Sequence, residues 1–300
     1  MYVLTSATSR ATLSAHGAEL TSFIKDKLEY LWQADPAVWA RHAPVLFPIV
    51  GRLPDDTYLH NGQAYRLTQH GFARDREFAV VKQSDSEIVF RLADDEASRV
   101  NYPFAFELDI KYRLRGSKLE VSWQVRNPSA TEELLFSIGA HPAFRCPLLP
   151  QEQFEDYLFE FDYPATLYRQ LLHNGLRTGA SEEVPLIDAP LTDDGTALPF
   201  SDQLFADDAL AFDYREHGHS PAWVSLRSAI SPSTLVRVEF EGFPYLGLWT
   251  KNAQAGFVCI EPWYGVASPV GPPQELRAKE GILSLAPGQR FEATYSITIG

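Results

Sequence analysis

The chain has 300 residues, 45% of them apolar and 22% charged, an ordinary globular composition that excludes disordered and fibrous classes. Its net charge of −13, from 26 basic and 39 acidic side chains, comes without any Lys/Arg cluster that could neutralise a phosphate backbone, which argues against nucleic acid as a partner. The first residues, MYVLTSATSR, lack a basic segment followed by an apolar one, and nowhere do 18 apolar residues run together, so the expectation is a cytoplasmic protein without a membrane partner.

Taken in chain order, the first strand candidate is Leu28 to Trp32. Asp35-Pro36, a cap residue followed by proline, then predicts a helix of a turn or two before Pro44. Asn61-Gly62, between Tyr58-Leu59-His60 and Ala64-Tyr65-Arg66, predicts a hairpin with a type I′ turn, because both residues tolerate positive φ. Phe78 to Lys82 and Glu87 to Leu92 are further strand candidates. From Phe106 to Leu114, apolar residues at 106, 108, 110, 112 and 114 alternate with charged ones, the period-two signature of a half-buried strand. The same alternation returns from Leu119 to Val125, with Arg115-Gly116-Ser117-Lys118 as the hairpin turn between them.

Tyr157 to Phe161 is another candidate, and Gly179 to Asp208, polar and weakly patterned, reads as a long surface excursion. His217-Gly218-His219 could tempt a metal assignment but reads as a solvated loop. Trp223 to Leu226, Val236 to Phe240 and Phe291 to Thr298 complete the set. Many short strands with Gly/Pro-rich turns and no βαβ rhythm predict an all-β fold, a large antiparallel β-sandwich with few short helices. The 21 prolines are spread along the chain, and no repeat or low-complexity linker interrupts it, so one domain over 1–300 is expected. Cys146 and Cys259, each beside apolar residues, read as buried reduced thiols.

Four polar residues sit where a polar group needs a reason. His70, in Gln69-His70-Gly71-Phe72-Ala73-Arg74-Asp75, is either a turn histidine or a ligand-binding one. His141 lies in Leu135–Phe144, whose apolar run would carry it inward; it is either a satisfied core histidine or an imidazole that exchanges protons near neutral pH. Glu261 is delivered by Phe257-Val258-Cys259-Ile260 to the end of a buried strand, where a carboxylate must meet a cation, a donor or a ligand. A structural ion pair and a general base are both compatible with that position. Arg52 follows Phe47-Pro48-Ile49-Val50-Gly51 in the same manner, suited either to sugar hydroxyls or to a bridge with an acid such as Glu261.

Phe47–Arg52, His70–Asp75, Gly139–Phe144 and Glu261–Gly265 together resemble the ordered signatures of the aldose 1-epimerase (galactose mutarotase-like) family, in particular its short bacterial branch. The resemblance runs from Gly17-Ala18-Glu19-Leu20 to the terminal strand. It implies a galactose mutarotase-like supersandwich whose concave face binds a pyranose, with no cofactor and no metal. By position, Glu261 would be the general base on the C1 hydroxyl and His141 the general acid at the ring oxygen, while His70 and Arg52 would orient the sugar and Arg74 assist. The family's sugar-gripping aspartate finds only a partial match in Asp208, where an apolar residue replaces a polar or aromatic one, so sugar preference turns on that position.

Three other readings stand beside this one. Two histidines and Glu261 could form a zinc hydrolase site, although no His-Glu-x-x-His helix is present. The same face could bind or sense a sugar without turnover, since fold does not settle function. A hexose 6-phosphate could be the substrate, with Arg52, Arg74 and Lys251 as its cations.

Overall fold

The computed structural model describes residues 1–162, 166–188, 195–215, 221–231 and 235–300. Two antiparallel sheets, one of ten strands and one of eight, carry the architecture, as the period-two alternation requires. In the ten-stranded sheet, Glu107–Arg115 pairs with Lys118–Arg126 over nine residues and turns at Gly116, φ +57°; Lys118–Arg126 pairs in turn with Arg290–Ile299. Leu108, Ile110, Tyr112 and Leu114 are buried on one face, as are Leu119, Val121, Trp123 and Val125 opposite them.

The eight-stranded sheet runs Leu176–Val184, Leu167–His173, Leu210–Asp213, Tyr245–Trp249, Phe257–Tyr264, Ile138–Ala140 and Val45–Leu46, with Ala143–Arg145 also against Phe257–Tyr264. Its two faces differ. Leu246, Leu248, Val258 and Ile260 join the same core as Trp123 and Ile297 of the larger sheet, and Trp123 meets Phe243 edge-on at 5.9 Å. The alternate residues, Gly247, Cys259, Glu261 and Trp263, must then point away from that core.

The Asn61-Gly62 hairpin is present: Thr57–His60 pairs with Gln63–Arg66, and φ is +52° and +78° at the turn. Other expectations need correction. Asp35-Pro36 opens only a single turn, in which the Asp35 carboxylate accepts from Ala37 N–H and its carbonyl from Trp39 N–H. The α-helix among the described residues is instead Glu96–Asn101, capped by Asp95 and Ser98 in a reciprocal box. Regular strand at Leu28 to Trp32 is confined to Leu28–Glu29, with Leu31 bridging Phe144. The stretch from Gly179 to Asp208 is not a plain surface excursion: it contains most of the strand Leu176–Val184 and the whole of Ile187–Asp188, which edge the two sheets, and of Thr196–Pro199, which pairs on both sides. His217-Gly218-His219 lies outside the described residues. Cys146 and Cys259 are both buried and unbridged.

Candidate active site

A prolyl interruption of one ladder builds the centre of the site. Gly139 pairs with Trp263 and Ala143 with Cys259, so the register is the same on both sides of the gap and sets His141 opposite Glu261. Between those pairs, Pro142 and Pro262 have no N–H to give, and the ladder lapses to one long bond, from Ile260 N–H to the Pro142 carbonyl at 3.4 Å. The Ala140 carbonyl, across from Pro262, accepts instead from the Trp263 indole N–H at 3.2 Å. Glu261 thus sits inside its strand rather than at the end, since Phe257–Tyr264 continues through the proline.

His141 Nε2 lies 3.3 Å from a Glu261 carboxylate oxygen. Glu261 is 1% exposed and His141 8%. Trp39 stacks on the imidazole with ring centroids 5.0 Å apart, and Trp249 meets it edge-on at 5.6 Å. Burial holds the Glu261 carboxyl well above its ordinary range, with Asp208 adding to the rise and the Trp263 indole N–H only partly opposing it. Burial also pushes His141 down to about 3, helped by the nearby Arg74 cation. Both shifts favour a proton on the carboxyl over one on the imidazole.

His70 is held by a backbone clamp. Its N–H donates to the Gly51 carbonyl at 2.9 Å, and the Gly51 N–H donates to its Nδ1 at 3.2 Å. A Cβ on Gly51, φ +76°, would come within 2.4 Å of Ala267, so only glycine lets this segment approach so closely. With Nδ1 accepting, the ring hydrogen sits on Nε2, which lies 3.3 Å from the Gln69 side-chain amide. Burial first, then the neighbouring His141 ring and the Arg74, Arg41 and Lys279 cations, hold His70 neutral by lowering its pKa well below the usual value.

One cleft of about 450 Å³ is lined by His141, Glu261, Arg52, His70, Arg74 and Asp208 together, so the fold collects all six residues to which the resemblance assigns a role. Arg52 reaches the mouth, where it donates to the Asn174 carbonyl at 3.1 Å and lies 3.7 Å from Asp56; its acidic neighbour is not Glu261. Arg74, on the 3₁₀ turn Ala73–Asp75, donates to the Gln69 carbonyl at 2.6 Å, while its buried Nε makes no hydrogen bond. Burial and Arg41 lower its pKa to about 10. Asp208, at φ +82°, is exposed at the rim. Lys251 does not line the cleft and instead donates to the Val38 carbonyl at 3.0 Å.

The three tryptophans of the cleft wall, Trp39, Trp249 and Trp263, were not singled out from the sequence. Trp263 lies across two neighbouring strands, because Gly139 and Gly247 leave room for its ring. Asn174 and Gly175 also reach the cleft, on the turn between Leu167–His173 and Leu176–Val184. Their φ values of +51° and +75° follow from the same Asn-Gly signal that marks the hairpin at Asn61.

A half-open cleft floored by a facing imidazole and carboxyl, with a second histidine, cations and tryptophan faces around it, has groups suited to proton transfer on a small polar ligand. Residues 1–298 match the family model of aldose 1-epimerase. The chromosomal LacX protein of Lactococcus lactis subsp. lactis is 34% identical over 293 residues, 94% of each chain. A galactose mutarotase related enzyme from Lactobacillus acidophilus is 36% identical and superposes with a TM-score of 0.90 over 100% of this chain and 97% of its own. A galactose mutarotase-like protein from Lactobacillus casei gives 28% identity and the same TM-score, with 100% of both chains covered. The chain belongs to the aldose 1-epimerase family, enzymes of the isomerase class with a mutarotase-type function. None of its described helices is long and apolar enough to cross a membrane.

Proposed function

We propose that the cleft binds a cyclic aldohexose and interconverts its α and β anomers. Glu261 takes the proton of the C1 hydroxyl and His141 gives one to the ring oxygen, so that the ring opens to the aldehyde. Rotation about C1–C2 and closure with the roles exchanged gives the other anomer. The carrying observation is the 3.3 Å approach of His141 to Glu261 in a buried pair, where burial raises the pKa of the carboxyl and lowers that of the imidazole. The exchange uses such a pair, since one group must be protonated while the other is free. In the empty cleft burial favours the proton on Glu261; hydrogen bonds from a bound sugar to the carboxylate favour its ionised form and move the proton to His141.

His70 offers its Nε2–H to a sugar hydroxyl, Arg52 and Asp208 act from the mouth, and Trp39, Trp249 and Trp263 supply flat apolar faces for pyranose C–H groups. Freshly dissolved α-D-glucose and α-D-galactose, followed by their anomeric proton signals, should equilibrate faster with protein than without. Binding with no acceleration for either sugar or its 6-phosphate would leave a sugar sensor instead. Arg74 favours one second reading, a hexose 6-phosphate substrate, because its buried Nε has no hydrogen bond, only Asp75 at 3.9 Å, and burial with the Arg41 cation lowers its pKa. A lower KM for glucose 6-phosphate than for glucose, lost in Arg74→Gln, would select it.

A further inference from the structure

The strand that carries Glu261 brings one more ligand-type side chain to the same face. Cys259 stands two residues earlier, opposite Ala143, which itself stands two residues beyond His141. Ligand atoms of His141, Cys259 and Glu261 all lie within 4.8 Å of one another, and all three residues are buried. Two of their atoms, His141 Nδ1 and one Glu261 oxygen, make no hydrogen bond. His70 is not available as a third ligand of this kind, because its Nδ1 is committed to Gly51 N–H. The extra donor beside the pair is therefore sulfur rather than a second imidazole.

We propose that His141, Cys259 and Glu261 form an inhibitory zinc site at the floor of the cleft. Zinc bonds of about 2.0–2.3 Å to nitrogen, oxygen and sulfur place neighbouring ligand atoms of a tetrahedron roughly 3.3–3.6 Å apart. The His141–Glu261 separation of 3.3 Å already meets this, and the contacts to sulfur need to close by little more than an ångström. Zn²⁺ displaces the thiol proton and the carboxyl proton to solvent, so thiolate and carboxylate offset its charge and the buried centre is neutral. A coordinated thiol is deprotonated outright, which overcomes the burial that otherwise holds the Cys259 thiol protonated. The fourth position faces the cleft. Bound there, the ion occupies the lone pairs with which His141 and Glu261 exchange protons, so it blocks turnover rather than assisting it.

The inhibition rests on the proposed acid/base roles, but the binding does not, and the two are tested separately. Chelator-stripped protein is titrated calorimetrically with ZnCl₂ and spectroscopically with CoCl₂, as wild type, Cys259→Ala and Cys259→Ser. Wild type should show a thiolate-to-cobalt charge-transfer band that both variants lack, and zinc affinity should fall at least about tenfold in each variant. Equal zinc affinity in all three proteins, or a cobalt complex without the thiolate band, overturns the site. In the rate assay, zinc should inhibit the wild type reversibly by chelator and inhibit Cys259→Ala at least about tenfold less potently. A cysteine-dependent zinc complex on a protein that turns over no sugar would uphold the metal site and refute the anomer-exchange reading.

Discussion

Trp39 lies against the imidazole of His141, the ring centroids 5.0 Å and the planes 27° apart. The indole keeps water from the face of the ring, and that exclusion, with Arg74 nearby, is why the histidine is pushed down to about 3. An ordinary imidazole would gain its proton near pH ~6.5. The free-enzyme profile of kcat/KM should therefore show no acid limb between pH 5 and 7, because His141 stays unprotonated there. Trp39→Ala should hydrate the ring and bring an acid limb up toward that range. A wild-type limb centred near the ordinary imidazole value would refute this account.

Removing either member of the pair should be costly to the rate and not to the fold. Glu261→Gln and His141→Ala should each lower the mutarotation rate by at least ~10²-fold, the scale of a lost general base or acid. The double variant should be little worse than the poorer single one, because the two act as a unit. A folded Glu261→Gln protein of full activity would remove the base from the scheme.

Glu261→Gln should also stabilise the protein as pH rises. The folded-state pKa of Glu261 is raised, so the folded protein holds a proton that the unfolded chain releases above its normal carboxyl range. Wild-type stability is then lost with rising pH until the folded pKa is reached, at most about 1.4 kcal/mol per pH unit. The variant has no such loss. Its Tm should exceed the wild-type value by more at pH 8 than at pH 5, and a difference independent of pH would contradict the raised pKa.

Gly247→Ala tests the floor of the cleft. A Cβ there would stand 2.2 Å from the Trp263 ring, which lies over Gly139 as well and could move only into the cleft. The substitution should destabilise by about 1–3 kcal/mol, the usual range for overpacking. It should also raise KM, because the displaced indole is both a wall of the cleft and the donor to Ala140.

Much of the larger sheet was legible, since Glu107–Arg115 and Lys118–Arg126 alternate without a break and their turn is marked by glycine. Glu96–Asn101 was missed because six residues are too few to show a helical period; only the Asp95 and Ser98 cap announces it. His141 and Glu261 were visible as polar residues at the heads of apolar runs. That they face each other was not, because register belongs to the pairing of two strands more than a hundred residues apart. Trp39 reaches His141 from a single turn after Asp35, a contact that no local pattern encodes. Asn174-Gly175 carried a readable turn signal, masked by the polar stretch that follows it.

The lapse in the ladder at Pro142 and Pro262 divides the labour of the molecule. The spacing of His141 and Glu261, the proposed proton-exchanging groups, is dictated by two adjacent strands of one sheet, whereas the groups at the mouth, Asn174, Gly175 and Asp208, hang from connections. Remodelling those connections would retune which sugar is admitted while the strand-to-strand distance that governs the chemistry stays put. Selectivity and reactivity are thereby heritable as separate traits of one scaffold.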